Sequence, residues 1–411
     1  MIETNKERFV NLMKSQAAIG GTKNGGLHRL ALSDADKEVR DWFLSKLEEA
    51  GLNVRVDEFG NIFGRRDGVD SSASPILIGS HLDSQPYGGM YDGALGVIAA
   101  LEVILSLNEK DIKTHRPIEI VNWTNEEGAR FNQVMQGSGV WAGTLDRDTQ
   151  YGYEDADGRT VEKELERIGY KGSCPAKPRG AYNSYIELHI EQGPKLERTG
   201  SQIGIVNGFV GLSWGKITFI GAANHSGTTP MEARQDALVA AGELVTEIRD
   251  IAETVGSDTV ATVGNITAEP NSINVVPGEV TVTWDVRDAD DDTVSTAYNM
   301  ILERAAMIAS NEGVSWEYED KAHSTAVDFP ASLTRVLSES ANELGYTTEE
   351  MFGGAVHDAA NCSNVCDTAM VFVPSEGGKS HVEAEYTSWD DCHRGANVLA
   401  IATHHLANLN N

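Results

Sequence analysis

Apolar and polar positions along the chain switch between two periods. Val39, Trp42, Phe43 and Leu47 recur at spacings of three and four, which predicts one apolar face of a helix. Ser33-Asp34-Ala35-Asp36 supplies N-cap side chains before it, and Gly51 supplies a stop after it. From Pro75 the pattern becomes short apolar runs, each followed by a polar loop. Ile76-Leu77-Ile78 runs into His81-Leu82-Asp83, and Ile118-Glu119-Ile120-Val121 runs into Asn122-Trp123-Thr124-Asn125-Glu126-Glu127. Residues 185–190 alternate apolar and polar and end at Glu191-Gln192-Gly193-Pro194, while 369–373 lead to a Gly-rich loop and His381. Between them, 93–107 is rich in Ala, Leu, Ile and Val and reads as a helix. Strands alternating with helices predict an α/β sheet, in which ligands gather beyond the carboxyl ends of the strands.

The middle of the chain has another order. A strand at 213–220, a helix at 233–255, strands at 259–267 and 279–287, a helix at 293–311 and a strand at 314–318 form a split β-α-β pattern. The expected organisation is therefore a mixed-sheet catalytic domain with helices on both faces, built from 1–209 and 326–411, and an inserted, ferredoxin-like α+β domain at 210–325.

Charge narrows the function. The chain of 411 residues carries 62 acidic against 33 basic side chains, a formal net charge of -29. Such a charge repels phosphate backbones and disfavours nucleic-acid binding. The acid is spread in short clusters such as Asp288-Ala289-Asp290-Asp291-Asp292, which suggests a surface adapted to a salt-loving host. No apolar run approaches the ~18 residues of a membrane-spanning helix, and the first residues do not resemble a secretory signal, so a cytoplasmic protein is expected. Cys174, Cys362, Cys366 and Cys392 contain no Cys-x-x-Cys pair and read as inert thiols.

The polar loops carry the chemistry. A hydrolytic site with two cations needs imidazoles, carboxylates, one shared carboxylate and a base for the attacking water. His81 and Asp83 share a strand face, where the carboxylate can accept the second imidazole N–H. Asp92 opens a helix after Gly88-Gly89; alone it reads as an N-cap. Glu126 and Glu127 follow a strand, where one can be a ligand and the other the base; alone they read as a solvated loop. Taken singly, His189 reads as the polar face of an edge strand and His381 as a loop histidine.

Together with their neighbours these residues form recognisable words: Gly79-Ser80-His81-Leu82-Asp83-Ser84, Tyr91-Asp92-Gly93, Thr124-Asn125-Glu126-Glu127-Gly128-Ala129-Arg130-Phe131, His189-Ile190-Glu191-Gln192-Gly193-Pro194 and His225-Ser226-Gly227-Thr228-Thr229-Pro230-Met231. Over nearly its whole length the chain resembles the hydantoinase/carbamoylase-type amidases, which include N-carbamoyl-L-amino-acid hydrolases, β-ureidopropionases and allantoate amidohydrolases, within the two-zinc aminoacylase/carboxypeptidase superfamily. The resemblance implies one divalent ion on His81, Asp92 and His189 and another on Asp92, Glu127 and His381, zinc foremost, with manganese, cobalt or nickel as alternatives. It implies Glu126 as general base and Asp83 as the residue orienting His81. The histidine at 189 favours the amidases, because peptidase relatives usually place a carboxylate there.

It further implies that Gln192 and His357, the latter beside Asp358, border the pocket, and that Asn274 and Arg287 bind substrate. His225 would steady the oxyanion in a partner subunit, so that the inserted domain serves as lid and homodimer contact. A guanidinium suits a substrate carboxylate through its bidentate fork, although Arg287 alone would read as an ion pair with Asp285 or Asp288. The expected reaction is hydrolysis of a carbamoyl or ureido group to amino acid, carbon dioxide and ammonia. Allantoate, or a dipeptide or acylated amino acid on the same scaffold, is the alternative substrate. A small amide bearing a carboxylate is the expected partner.

Overall fold

The computed structural model describes residues 2–409. The chain divides into two compact units, one containing the chain up to Asn207 and again from Phe329, the other Gly208–Asp328. Among the described residues no helix is long and apolar enough to cross a membrane, and the four cysteines are unpaired with one another.

The first unit is organised by a mixed sheet. Its strands lie in the order Asn53–Val56, Ile62–Arg66, Ile118–Trp123, Ile76–His81, Ser184–Ile190, Asp367–Val373 and Ile203–Phe209, with Thr348–Gly353 paired to the last. The central neighbours, from Ile118–Trp123 to Asp367–Val373, are parallel, and the outer pairs are antiparallel. Parallel strands are covered on both faces, and here Ile76–His81, Ile118–Trp123 and Ser184–Ile190 are buried throughout. Along Ser184–Ile190 the faces separate by period two. Leu188 meets the helices Ala94–Glu109 and Trp389–Asn408, so closely that a Cβ on Gly395 would lie 2.5 Å from its Cδ1. Glu187 faces the other way and accepts the Ala359 N–H at the start of the helix Asp358–Cys362. His189 is therefore not on a solvated edge. Its strand is central, between Ile76–His81 and Asp367–Val373, and its polar positions are buried.

The second unit is an antiparallel sheet ordered Ile266–Glu269, Glu279–Asp288, Gly211–Ile220 and Ser315–Ser324, with Val260–Thr262 also paired to Glu279–Asp288. The helices Ala237–Val255 and Asp291–Glu312 pack on the face carrying Ile217, Phe219, Val280, Val282 and Trp284. Two details differ from the sequence pattern. The strand expected at 259–267 is two short strands, because Asn265 turns its backbone to Thr283, accepting its N–H at 3.1 Å. The first helix begins at Ala237 because Asp236 caps it, accepting from the N–H groups of Leu238 and Val239.

Candidate metal centre

Every expected ligand in the first unit lies at the carboxyl end of a parallel strand or in the loop that follows it. His81 closes Ile76–His81, Asp92 stands before the helix Ala94–Glu109, Glu126 and Glu127 follow Ile118–Trp123, His189 ends Ser184–Ile190, and His381 lies beyond Asp367–Val373. The side chains converge in two groups that share Asp92: His81, Asp92 and His189, and Asp92, Glu127 and His381.

Asp92 is the hub. Its Oδ1 lies 3.1 Å from His189 Nε2 and 3.6 Å from His81 Nε2, and its Oδ2 lies 3.5 Å from His381 Nε2. His381 Nε2 is also 3.5 Å from Glu127 Oε2. Glu126 Oε2 stands 3.6 Å from His81 Nε2.

The ring tautomers test whether this set fits cations. His189 Nδ1 sits 2.9 Å from the Ile190 carbonyl and His81 Nδ1 sits 3.0 Å from the Asp83 carbonyl. A carbonyl only accepts, so each Nδ1 carries a proton, and Nε2 is the nitrogen each neutral ring would offer to a cation. Nε2 of His189 lies beside Asp92 and accepts the Gly93 N–H at 3.1 Å, and Nε2 of His81 faces the carboxylates of Asp92 and Glu126. His81 Nε2 is buried with no hydrogen-bond partner. A buried, unpartnered ring nitrogen at His81 facing two carboxylates leaves the position of a cation between them, and mixed imidazole and carboxylate donors suit zinc or a neighbouring transition metal. The residues fit the metal pair.

Charge balance points the same way. Burial alone would lower His81, but the facing charges of Glu126, Asp92 and Asp83 outweigh it and hold the imidazole well above its usual value. Burial would raise Asp92, yet the imidazoles of His189, His381 and His81 hold it well below the carboxylate range. Burial, with Asp358, Glu127 and Asp92 nearby, pushes Glu126 well up, and burial beside Asp92 pushes Glu127 up to about 7. The cluster has more negative charge than its own imidazoles neutralise.

Several residues fix this geometry without any local sequence signal. Gln85 grips both oxygens of Glu127, from its backbone N at 3.1 Å and from Nε2 at 2.8 Å. Glu385 is buried and accepts the N–H groups of Asp92 at 3.2 Å and Tyr91 at 3.3 Å, and its other oxygen lies 2.8 Å from Ser380 Oγ. It thus braces the loop of Asp92 against the loop of His381. Gly89 is required there, since a Cβ would lie 2.0 Å from Glu385 Oε1. Only Glu385's place four residues after His381 could have drawn attention to it.

The remaining expected residues fall as follows. Asp83 reaches the His81 ring through its main-chain carbonyl; its carboxylate is 3.8 Å from Nδ1 and instead accepts the N–H groups of Glu126 and Glu127. Gln192 Nε2 donates to Asp92 Oδ2 at 2.8 Å. The His357 ring lies 4.2 Å from that of His189, centroid to centroid, and the buried Asp358 accepts from Ser138 Oγ. In the second unit, His225 and Asn274 come together: His225 pairs with Val275, and Ser226 N donates to the Asn274 carbonyl. Arg287 instead forms a two-pronged ion pair with Asp285, at 3.0 Å from Nε and 2.9 Å from Nη2, because positions two apart share a strand face.

Residues 77–405 match the model of the peptidase family M20/M25/M40. The chain is 40% identical over 395 residues to an N-carbamoyl-L-amino-acid amidohydrolase of Rhizobium meliloti, covering 96% of this chain and 95% of that one. It is 37% identical over 396 residues to an N-carbamoyl-L-amino acid amidohydrolase of Geobacillus stearothermophilus, covering 96% of each. The crystal structure of a hydantoinase/carbamoylase family amidase from Burkholderia multivorans superposes with a TM-score of 0.96 at 41% identity, over 100% of both chains.

Proposed function

The chain belongs to the peptidase M20/M25/M40 family as an amidase of the hydantoinase/carbamoylase type, and from that premise we propose that it hydrolyses N-carbamoyl-L-amino acids. It is a hydrolase of linear carbon–nitrogen bonds outside peptides. One water and the carbamoyl substrate give the free amino acid, carbon dioxide and ammonia.

The observation that carries this reading is Asp92 shared between two donor groups, with Nδ1 of His81 and His189 each held by a carbonyl so that Nε2 points to the site. His81, Asp92 and His189 would hold one divalent ion, and Asp92, Glu127 and His381 the other. When bound, these ions, zinc first by donor chemistry, would acidify a water and polarise the carbamoyl carbonyl. Glu126, facing the same space as the His81 lone pair, takes the proton of the attacking water and returns it to the leaving nitrogen. Asp83 keeps the Glu126-Glu127 turn in place through its two N–H contacts. Gln192 orients Asp92, and His357 walls the pocket beside His189.

We assign the oxyanion to His225 and the substrate's carboxylate end to Arg287 and Asn274. Arg287 must then exchange or share its bond to Asp285. We also infer a cytoplasmic homodimer formed through the inserted unit, in a salt-loving host, on the strength of the net charge of -29 and the family resemblance. Sedimentation of the purified protein tests the dimer.

The deciding experiment is ammonia release from a panel of N-carbamoyl-L-amino acids, β-ureidopropionate and allantoate, with release of free amino acid from a dipeptide as control and metal analysis of the same sample. Fastest turnover on a carbamoyl amino acid with two equivalents of metal is expected. Turnover of the dipeptide alone would overturn the reading.

A further inference from the structure

Arg234 pairs with no carboxylate among the described residues, in a chain whose acids outnumber its bases 62 to 33. Its guanidinium is turned to the main chain instead. Nη2 donates to the Ser226 carbonyl at 2.7 Å and Nε to the Thr229 carbonyl at 3.2 Å. These two donors lie on one edge of the guanidinium plane, so a single fork closes across the turn from Ser226 to Thr229. Arg234 is half-buried and directly follows the short helical turn Met231–Ala233.

That turn holds His225. The His225 carbonyl accepts from Thr229 Oγ1 at 2.7 Å and from Thr229 N at 3.2 Å, and its own N–H goes to Asn224 Oδ1 at 2.8 Å. The ring is exposed, yet Gly227 N donates to its Nδ1 at 3.0 Å. An N–H only donates, so Nδ1 accepts, and in the neutral ring the proton sits on Nε2. This is the reverse of His81 and His189, whose Nδ1 atoms face carbonyls. His225 therefore offers an Nε2–H, which suits a developing oxyanion, where the other two rings offer Nε2 to a cation.

The Ser226 carbonyl and the Gly227 N–H belong to one peptide unit, which is planar. The bond from Arg234 to that carbonyl thus sets the direction of the N–H that meets the imidazole. We propose that Arg234 is a positioning residue for His225: by closing the turn it holds the Gly227 N–H against Nδ1 and fixes Nε2 as a hydrogen-bond donor. The proposal rests on the assignment of the oxyanion to His225 and adds the residue through which that donor is oriented. Without such a contact an exposed imidazole turns about its side-chain torsions and exchanges its proton between the two nitrogens. The clamp removes that freedom before the substrate arrives.

The test uses the metal-loaded, full-length protein as wild type, Arg234→Met, His225→Ala and the double variant, with turnover of an N-carbamoyl-L-amino acid, melting temperature and metal content measured on each. His225→Ala is expected to lower kcat by about 10² to 10³, the effect of one lost oxyanion donor. Arg234→Met is expected to lower it by about tenfold to a hundredfold through misplacement of the ring. Adding Arg234→Met to His225→Ala should cost no further rate, because the ring it positions is gone. Equal slowing by Arg234→Met in both backgrounds, or a normal rate in Arg234→Met alone, overturns the proposal. A normal rate in His225→Ala instead overturns the oxyanion assignment on which it stands. Nitrogen-15 spectra of histidine-labelled protein give a readout independent of turnover, the His225 signal being the one lost in His225→Ala. At mildly alkaline pH the wild type should show the Nε2–H form alone, and Arg234→Met an average with the Nδ1–H form. An Nδ1–H form in the wild type, or identical spectra in the two proteins, overturns the proposal even where no carbamoyl substrate is turned over. Arg234→Lys keeps the charge but lacks the parallel fork, and it replaces Arg234→Met in both measurements should the latter fail to fold.

Discussion

Gly93 leaves room for the His81 ring: a Cβ at position 93 would lie 2.3 Å from His81 Cε1 and 2.4 Å from both ring nitrogens. Gly93 also has φ +65, a conformation that costs other residues about 1–2 kcal/mol. Gly93→Ala is therefore expected to push the imidazole away from Asp92. It should lower metal affinity and turnover by about tenfold to a hundredfold, as displaced supporting groups do. Metal content and kcat measured on the same preparation check this, and full occupancy with unchanged kcat would show that the ring tolerates a neighbour.

Glu126→Gln separates base from ligand. The amide keeps the shape and cannot take a proton. Retained metal with a fall in kcat of about 10² to 10⁴ is expected. Stopped or steady-state ammonia release gives the rate, and a near-normal value would place the base elsewhere.

Glu385 braces the loops of Asp92 and His381 by accepting the Asp92 and Tyr91 N–H groups. Removing the acceptor in Glu385→Ala leaves buried donors unpaired and should destabilise by about 1–3 kcal/mol. Metal affinity should fall with it, while Glu385→Gln, which keeps one carbonyl acceptor, should recover most of both. Equal losses in the two variants would mean that the charge, rather than the acceptor, matters.

Asp57 provides a pH test away from the candidate metal centre. Burial pushes its carboxyl up to about 7, even though it accepts from Phe59 N, Asn61 N and Asn61 Nδ2. In the unfolded chain it titrates near 3.9. The folded state thus keeps a proton that the unfolded state has released, so this group favours folding at low pH and its contribution is lost as pH rises from about 4 to about 7. The melting temperature of the wild type minus that of Asp57→Asn should decrease across that interval. A difference that stays flat would mean that Asp57 is ionised in the folded protein throughout.

Salt should stabilise the protein. The net charge of -29 repels itself, and molar salt shortens that repulsion to about 3 Å. A melting temperature that rises between low and molar sodium chloride is expected, and a constant one would remove the inference of a salt-loving host.

What was legible in the linear chain was whatever repeats with a local period or forms a local word. Val39, Phe43 and Leu47 mark a helix face because side chains three and four apart meet, and all three are buried in Asp34–Glu49. Apolar runs ending in polar clusters pointed to His81, Glu126, Glu127, His189 and His381, and a Gly-rich loop before a helix pointed to Asp92, because a parallel sheet delivers the ends of its strands to one side. Strand position was not legible: the period of Ser184–Ile190 fits an edge or a centre, and only its pairing on both sides buries Glu187 and His189. Nor could the chain by itself show that Asp83 meets His81 through its carbonyl, or that Gln85 and Glu385 hold Glu127 and Asp92. Each of those contacts depends on how a loop turns by a few ångströms. Periodicity encodes which face a residue occupies, while hydrogen-bond partners across tens or hundreds of residues are chosen only when the packed backbone fixes distance and direction.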